Sequence, residues 1–373
     1  MSKRRGNRFP LPRFPPQSNS GSRREGANPS LNAKSSRETL FRVTSALAAS
    51  SIVFFLGAIL VVLFVFSWPS IIYNGTGFLN GRTWDIGNLY SSRQTVHAGF
   101  TAAAGAHFGI LVFLVGTLAT AALALLMAAP VSLGVAVFLT RFAPPFARSP
   151  LSVLVELLAG VPSVVFGLWG WAVIVPWVAR SLAPFLSSHF GWIPFFAGSA
   201  GTGMGLLSSG LVLAVMVVPI ITAISRDAIA NTPPSLIEQG RALGTTEWEV
   251  IRDIILPHAR AGILGGIVLG LGRALGETMA ILMVSGNALN YLPQNIYNPV
   301  GTIAATIVSQ LDSAMTDSTG MAVYALAEMA LVLFVITLLV NMAAPLVMRI
   351  SGGIMTLGEA REMGDAPFRE AGS

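Results

Sequence analysis

The sequence contains no cysteine. That excludes disulfide staples, zinc–thiolate sites, iron–sulfur ligation and thiol catalysis together. Histidine is nearly absent as well: four are scattered along the chain, none at a spacing suited to a shared metal, so no metal site is expected and His189 and His258 read as surface residues. Lysine occurs at Lys3 and Lys34 alone, and neither follows a glycine. A phosphate-cradling P-loop requires Gly-Lys followed by Ser or Thr, so the chain carries no ATPase loop of its own and no cofactor is expected. "GTGMG" at 201–205 lacks the strand-then-helix setting of a nucleotide fingerprint, and neither Gly-x-Ser-x-Gly nor a paired-histidine motif is present. Charge is the last shortage. Charged residues make up 11% of the sequence, against about 25% in soluble domains.

What is present in excess is apolar. Hydrophobic residues make up 53% and the mean hydropathy is +0.68, so the chain reads as an all-α, polytopic membrane protein. A hydrocarbon core of about 30 Å needs about 20 apolar residues in a helix, and six segments qualify: 46–67, 108–140, 151–178, 206–225, 262–285 and 321–348. The second is too long for one crossing and is expected to kink near Pro130 or to continue beyond the lipid. The third is interrupted by "GVPSVVFGLWG".

Arginine and lysine set the orientation. Residues 1–42 carry ten, 140–150 two, 226–260 four and the tail from Arg349 three, while the alternate connections hold Arg82, Arg93 and Arg180. This bias predicts both termini on the cytoplasmic side. Residues 1–42, rich in Pro, Ser, Gly and Arg, read as a disordered basic tail lying near anionic lipid, with no nucleic-acid role. The first span begins too far from the start to be a cleaved signal. The membrane domain is expected at 43–350 and a cytoplasmic tail at 351–373.

Two features carry chemistry. The first is the connection "NTPPSLIEQGRALGTTEWEVIRDIILPHARAG" within 226–260. Ser235 with Glu238, and Thr246 with Glu249, each fit a capping box. Gly244 suits a left-handed helix end and Pro257 is expected to close the second helix. Glu238, Gly240, Gly244, Ile254, Leu256 and Pro257 stand in the pattern E-x-[AG]-x3-G-x9-I-x-L-P. This spacing resembles the EAA loop of binding-protein-dependent ABC importer permeases, with Gln239 and Gly240 in place of the usual alanines. The resemblance implies a type I ABC importer permease fold in which this loop docks on a separate cytosolic ATPase.

The second is "LGLGRALGETMAILMV", 269–284, which sets Arg273 and Glu277 in an apolar segment. An ionisable group at the bilayer centre costs at least about 2.5–3.5 kcal/mol on insertion scales, so such groups are paired, hydrated or used. Arginine's planar fork suits an anion, and Glu277, four residues on, can neutralise it when no anion is present. The alternative is a buried ion pair that fixes packing. Gly262, Gly266, Gly270, Gly272 and Gly276 read as close-packing positions. Ser163, beside Gly160 and Pro162, is either a pathway hydroxyl at a helix break or a bystander at a kink. Glu156 and Glu328 are weaker pathway candidates, and Glu156 lies near the cytoplasmic end.

From residue 41 to 350, "FLVGTLATAALALLMAAPVSLGVAVFL", "LAGVPSVVFGLWGWAVIVPWV" and "LGLGRALGETMAILMVSGN" look like the corresponding stretches of the phosphate-importer permeases. The "GRALGETMAILMVSGN" ending looks more like one of the two sister permeases of those systems than the other. The resemblance implies a second homologous permease, two cytosolic ATPase subunits and an extracytoplasmic phosphate-binding protein as partners, with Arg273, Glu277 and Ser163 on the substrate path. An ion-coupled secondary transporter using Glu277 or Glu328, a membrane signalling subunit, and a permease for another oxyanion are the competing readings; the loop spacing discriminates against the first two.

Overall fold

The computed structural model describes residues 29–89, 93–199 and 201–364. The chain divides within its first helix into two compact units, Met1–Ala58 and Ile59–Ser373. The first unit contributes a helical stretch from Pro29 onward; residues 1–28 of the expected disordered tail lie outside the described residues, and Pro29–Arg42 is helix rather than coil. Residues 365–373 likewise lie outside them.

Ten helices organise the described chain: α1 Pro29–Asn74, α2 Leu111–Phe142, α3 Pro145–Ala159, α4 Ser163–Phe190, α5 Leu206–Ala230, α6 Pro234–Ala242, α7 Glu247–Leu275, α8 Met279–Val284, α9 Ile303–Met315 and α10 Met321–Gly364. Six of them hold stretches long and apolar enough to cross a membrane, in α1, α2, α4, α5, α7 and α10. The six expected spans are therefore present, with different ends. α2 runs unbroken through Pro130 to Phe142. The third span starts at Ser163, because Gly160, Val161 and Pro162 break the helix and leave α3 as a separate amphipathic piece. The fifth begins at Glu247 and stops at Leu275.

Between α1 and α2, four short strands pair as β1 Trp84–Asp85 with β4 His107–Phe108, and β2 Gln94–His97 with β3 Phe100–Ala103, both antiparallel. Ala98 and Gly99 turn the second hairpin with φ of 52° and 86°, the two positive values a tight primed turn requires. Phe78, Trp84, Phe108 and Phe113 pack there against Ala322, Ala325, Leu326 and Met329 of α10.

The membrane core lies where α2, α5 and α7 meet: Ala121, Ala124 and Ala128 face Leu213, Val217 and Ile221, with Ala274 and Leu275 completing the cluster. Glycine makes the approach possible. A side chain at Gly262 would meet Ala228, at Gly266 Ile224, and at Gly270 Val217 and Ile221, so this stripe of α7 lies flat on α5. Gly272 faces Asn341 of α10 instead. The free amides at the start of α5 are satisfied from across the chain: Gly205 N donates to Val284 O (3.1 Å), Leu206 N to Asn298 O (3.0 Å) and Leu207 N to Ile296 O (2.8 Å). That pins the 285–302 segment onto the bundle and buries Ile296, Tyr297 and Val300.

Two glycines of α2 test this packing. A methyl at Gly116 would run into the Gly301 carbonyl and approach Val300 Cγ2 at 2.7 Å, whereas at Gly134 it meets nothing within 4 Å. Gly116→Ala is expected to cost about 1–3 kcal/mol through overpacking, and Gly134→Ala to be neutral or stabilising by up to about 1 kcal/mol through helix propensity. Thermal unfolding of the two variants in detergent checks the difference; equal melting points would contradict the packing.

Candidate functional site

The loop between α5 and α7 is built from its helix ends. Pro234 at the first turn starts α6 with Pro233 at the cap position and no side-chain cap bond, so the expected Ser235–Glu238 box is not formed; Ser235 already lies inside the helix. The second box is formed. Glu249 N donates to Thr246 Oγ1 (3.3 Å) and Thr246 N to Glu249 Oε2 (2.7 Å). Gly244 between the helices has φ of +80°, the left-handed value that its place in the sequence predicts and that a β-branched residue adopts at high cost. Pro257 does not close the second helix. The turn Val250–Ile255 is wound with wider, i to i−5 hydrogen bonds, as from Leu256 N to Ile251 O, and α7 continues through the proline, whose missing donor falls where that register shifts.

The loop's inner face is apolar. Val250, Ile251 and Ile255 are buried with Ala136 of α2 and Ile229 of α5, with Ile254 and Leu256 packed beside them. Gly240 is buried, and any side chain on it would meet the end of Ile254; two residues of the sequence pattern thus touch across the turn. Glu247 accepts from Arg241 Nε (2.8 Å) and from Arg141 Nη2 (3.3 Å), tying the loop to the end of α2. Glu238 is exposed on α6. The sequence pattern gave no sign of the outer face, where Leu243 is 85% and Trp248 64% exposed on either side of the Gly244 turn. Their signal was available as two large apolar residues in an otherwise polar connection.

Arg273 lies about 24 Å along α7 from Pro257, at 1.5 Å per residue. Arg273 and Glu277 do not share a continuous helix: α7 ends at Leu275 with Gly276 as cap, and α8 starts at Met279. Among the described residues they form no ion pair, so the expected mutual neutralisation is not seen. Each charge suits its own helix end. Arg273 is exposed in the last turn of α7, where the dipole favours a cation, and Glu277 accepts from Ala280 N (3.2 Å) at the start of α8. Ser163 begins the helix that packs on this region: Gly167 lies against Ala280 and Gly170 against Val284, so α4 and α8 run side by side. Glu156 pairs with Arg226 at 3.0 Å. Glu328 is buried and accepts from Ser70 Oγ at 2.6 Å, with Asn74 Nδ2 donating to Ser70 Oγ at 2.9 Å, which locks α10 to the end of α1.

The spans, the broken helix and the two-helix loop define a transport permease. Residues 129–351 match the family described as binding-protein-dependent transport system inner membrane component. The chain is 48% identical over 289 residues to phosphate transport system permease protein PstC 1 of Mycobacterium tuberculosis, covering 76% of this chain and 85% of that protein. It is 40% identical over 307 residues to PstC of Haemophilus influenzae, covering 81% and 90%. A solved bacterial alginate ABC transporter in complex with an alginate pentasaccharide-bound periplasmic protein shares the fold, with a TM-score of 0.53 at 16% identity over 85% of this chain and 96% of that one. The chain belongs to the binding-protein-dependent transport family, on its PstC branch.

Gly244→Val is expected to leave membrane insertion intact and abolish uptake by distorting the loop, while Gly244→Asn, which tolerates the left-handed region, retains most activity. Uptake in cells expressing equal amounts of each variant is the measurement.

Proposed function

We propose that the chain is one of two homologous permease subunits of an ATP-driven importer that carries inorganic phosphate across the cytoplasmic membrane. In this reading both termini and the 226–260 loop face the cytosol, two ATPase subunits bind the loop, and an extracytoplasmic phosphate-binding protein docks opposite. The observation that carries it is the loop: an EAA-like spacing folded as two helices about the Gly244 turn, the second capped by the Thr246–Glu249 box, buried on its inner face and presenting Leu243 and Trp248 outward. The names of the relatives support phosphate as substrate, and the arginine and lysine bias supports the orientation.

The mechanism follows from connectivity. ATP-driven closure of the ATPases moves the two loops together. Glu247, held by Arg241 and Arg141, passes that motion to α2, and α7 carries it to the break at Gly276–Thr278. Arg273, exposed and without a protein partner among the described residues, offers phosphate a fork of donors. Glu277 holds the start of α8, and Ser163 supplies a hydroxyl at the start of α4.

Two experiments test the reading. Leu243→Ser with Trp248→Ala is expected to reduce recovery of the ATPase subunit with the tagged permease at least tenfold while expression is unchanged; uptake that persists with no ATPase bound would favour an ion-coupled transporter. Arg273→Gln is expected to stop radiolabelled phosphate uptake while the complex still assembles, since no protein ion pair is lost. Uptake at the wild-type rate would remove Arg273 from the path.

A further inference from the structure

A cavity of about 520 Å³ opens at the loop end of the bundle, between the last turn of α2, α3, the end of α5 and α6. Arg141, Arg148, Arg226 and Arg241 all line it, and Glu238 is the one carboxylate on its wall. Acids outside the wall engage part of this charge: Arg226 donates to Asp227 and Glu156, and Glu247 takes Arg241 and one nitrogen of Arg141. The remainder is unmatched. Arg141 Nε is buried with no partner among the described residues. Arg148 reaches the Ala143 carbonyl at a long 3.4 Å. Thr232, 4% exposed, has a hydroxyl with no partner among the described residues. A buried polar group left unpaired is costly, so the Arg141 Nε and the Thr232 hydroxyl, two such groups on residues lining one arginine-rich space, call for an acceptor beside them.

We propose that this cavity binds a phosphate group, presented either as free orthophosphate or as the headgroup of an anionic phospholipid, and that the occupant ties α6 to α2 and α3. Guanidinium forks match phosphate oxygens with paired, charge-assisted hydrogen bonds. The space is within the range of small-ligand sites. The site is separate from Arg273, which lies toward the far end of α7. Because Arg241 and Glu238 belong to the coupling loop and Arg141 and Arg148 to the elements behind it, an anion here stiffens the joint through which the loop moves the spans. Its cytosolic placement rests on the orientation proposed above; its existence does not.

The test uses the affinity-purified full-length chain, with the subunits that accompany it, in detergent stripped of anionic lipid. Equilibrium binding of radiolabelled orthophosphate is compared for wild type, Arg148→Gln, Thr232→Val and Arg273→Gln. Native mass spectrometry of the same proteins, after passage through phosphatidylglycerol nanodiscs, counts retained lipids. If free phosphate is the occupant, Arg148→Gln weakens binding at least tenfold and Thr232→Val several-fold, while Arg273→Gln retains a binding event of wild-type affinity. If a headgroup is the occupant, orthophosphate does not bind there, and wild type retains one phosphatidylglycerol that Arg148→Gln and Thr232→Val lose. Neither ligand binding, or both binding equally well to wild type and the two cavity variants, overturns the proposal. So does loss of the ATPase subunit from Arg148→Gln, which would turn these arginines toward a protein partner. Both measurements are blind to membrane side and to transport, so they can fail while the proposed import function stands.

Discussion

In hydrocarbon, every backbone amide must find its partner inside the protein, and the chain departs from continuous helix only where something compensates. The interruption at Gly276–Thr278 is the clearest case. α7 ends at a glycine, Glu277 N reaches back to Ala274 O at 3.4 Å, and the Glu277 carboxylate takes the Ala280 amide of the next helix. A carboxylate serving as the cap of a six-residue helix explains why an acid is placed in an apolar run without an ion pair. Arg273 answers to the other side of the same break, where the end of α7 presents free carbonyls. The two charges are thus a consequence of the discontinuity, and the discontinuity leaves the arginine fork unclaimed.

The break is held in place by close packing. Gly262, Gly266 and Gly270 lay α7 on α5, and Gly167 and Gly170 bring α4 against α8 and α5. Helix contacts made through glycine leave little room for independent sliding. α4, α5, α7 and α8 therefore form one layered body, with the loop at one end and the broken helix toward the other.

How much of this was legible in the sequence depended on range. Apolar length marked all six spans, and the φ of Gly244 and the Thr246–Glu249 box followed from local chemistry. Features set by neighbours in sequence but in competition with one another were misplaced. Two consecutive prolines moved the start of α6 ahead of Ser235, a wide helical turn carried α7 past Pro257, and Gly276 ended it before Glu277. Features set by distant residues were invisible: the Ser70–Glu328 bond, the bridge from Glu247 to Arg141, and the folding back of 285–302 onto α5. The short strands and α9 were also missed, because two to four residues of strand, or one helix in a mixed-polarity connection, leave no periodic signal long enough to read.

The Pro257 result bears on coupling. Had that proline ended the helix, the loop would be hinged to the fifth span and its movement could be absorbed at the hinge. Instead the backbone runs as helix from Glu247 to Leu275, with Ile251 and Ile255 of the wide turn buried against α2 and α5. A buried, hydrogen-bonded turn does not act as a free joint, so displacement of the loop is displacement of α7. The first place along that rod where the backbone lacks helical support is Gly276–Thr278, beside Arg273. Motion imposed at the loop is therefore relieved beside the arginine, the residue proposed above to meet the substrate.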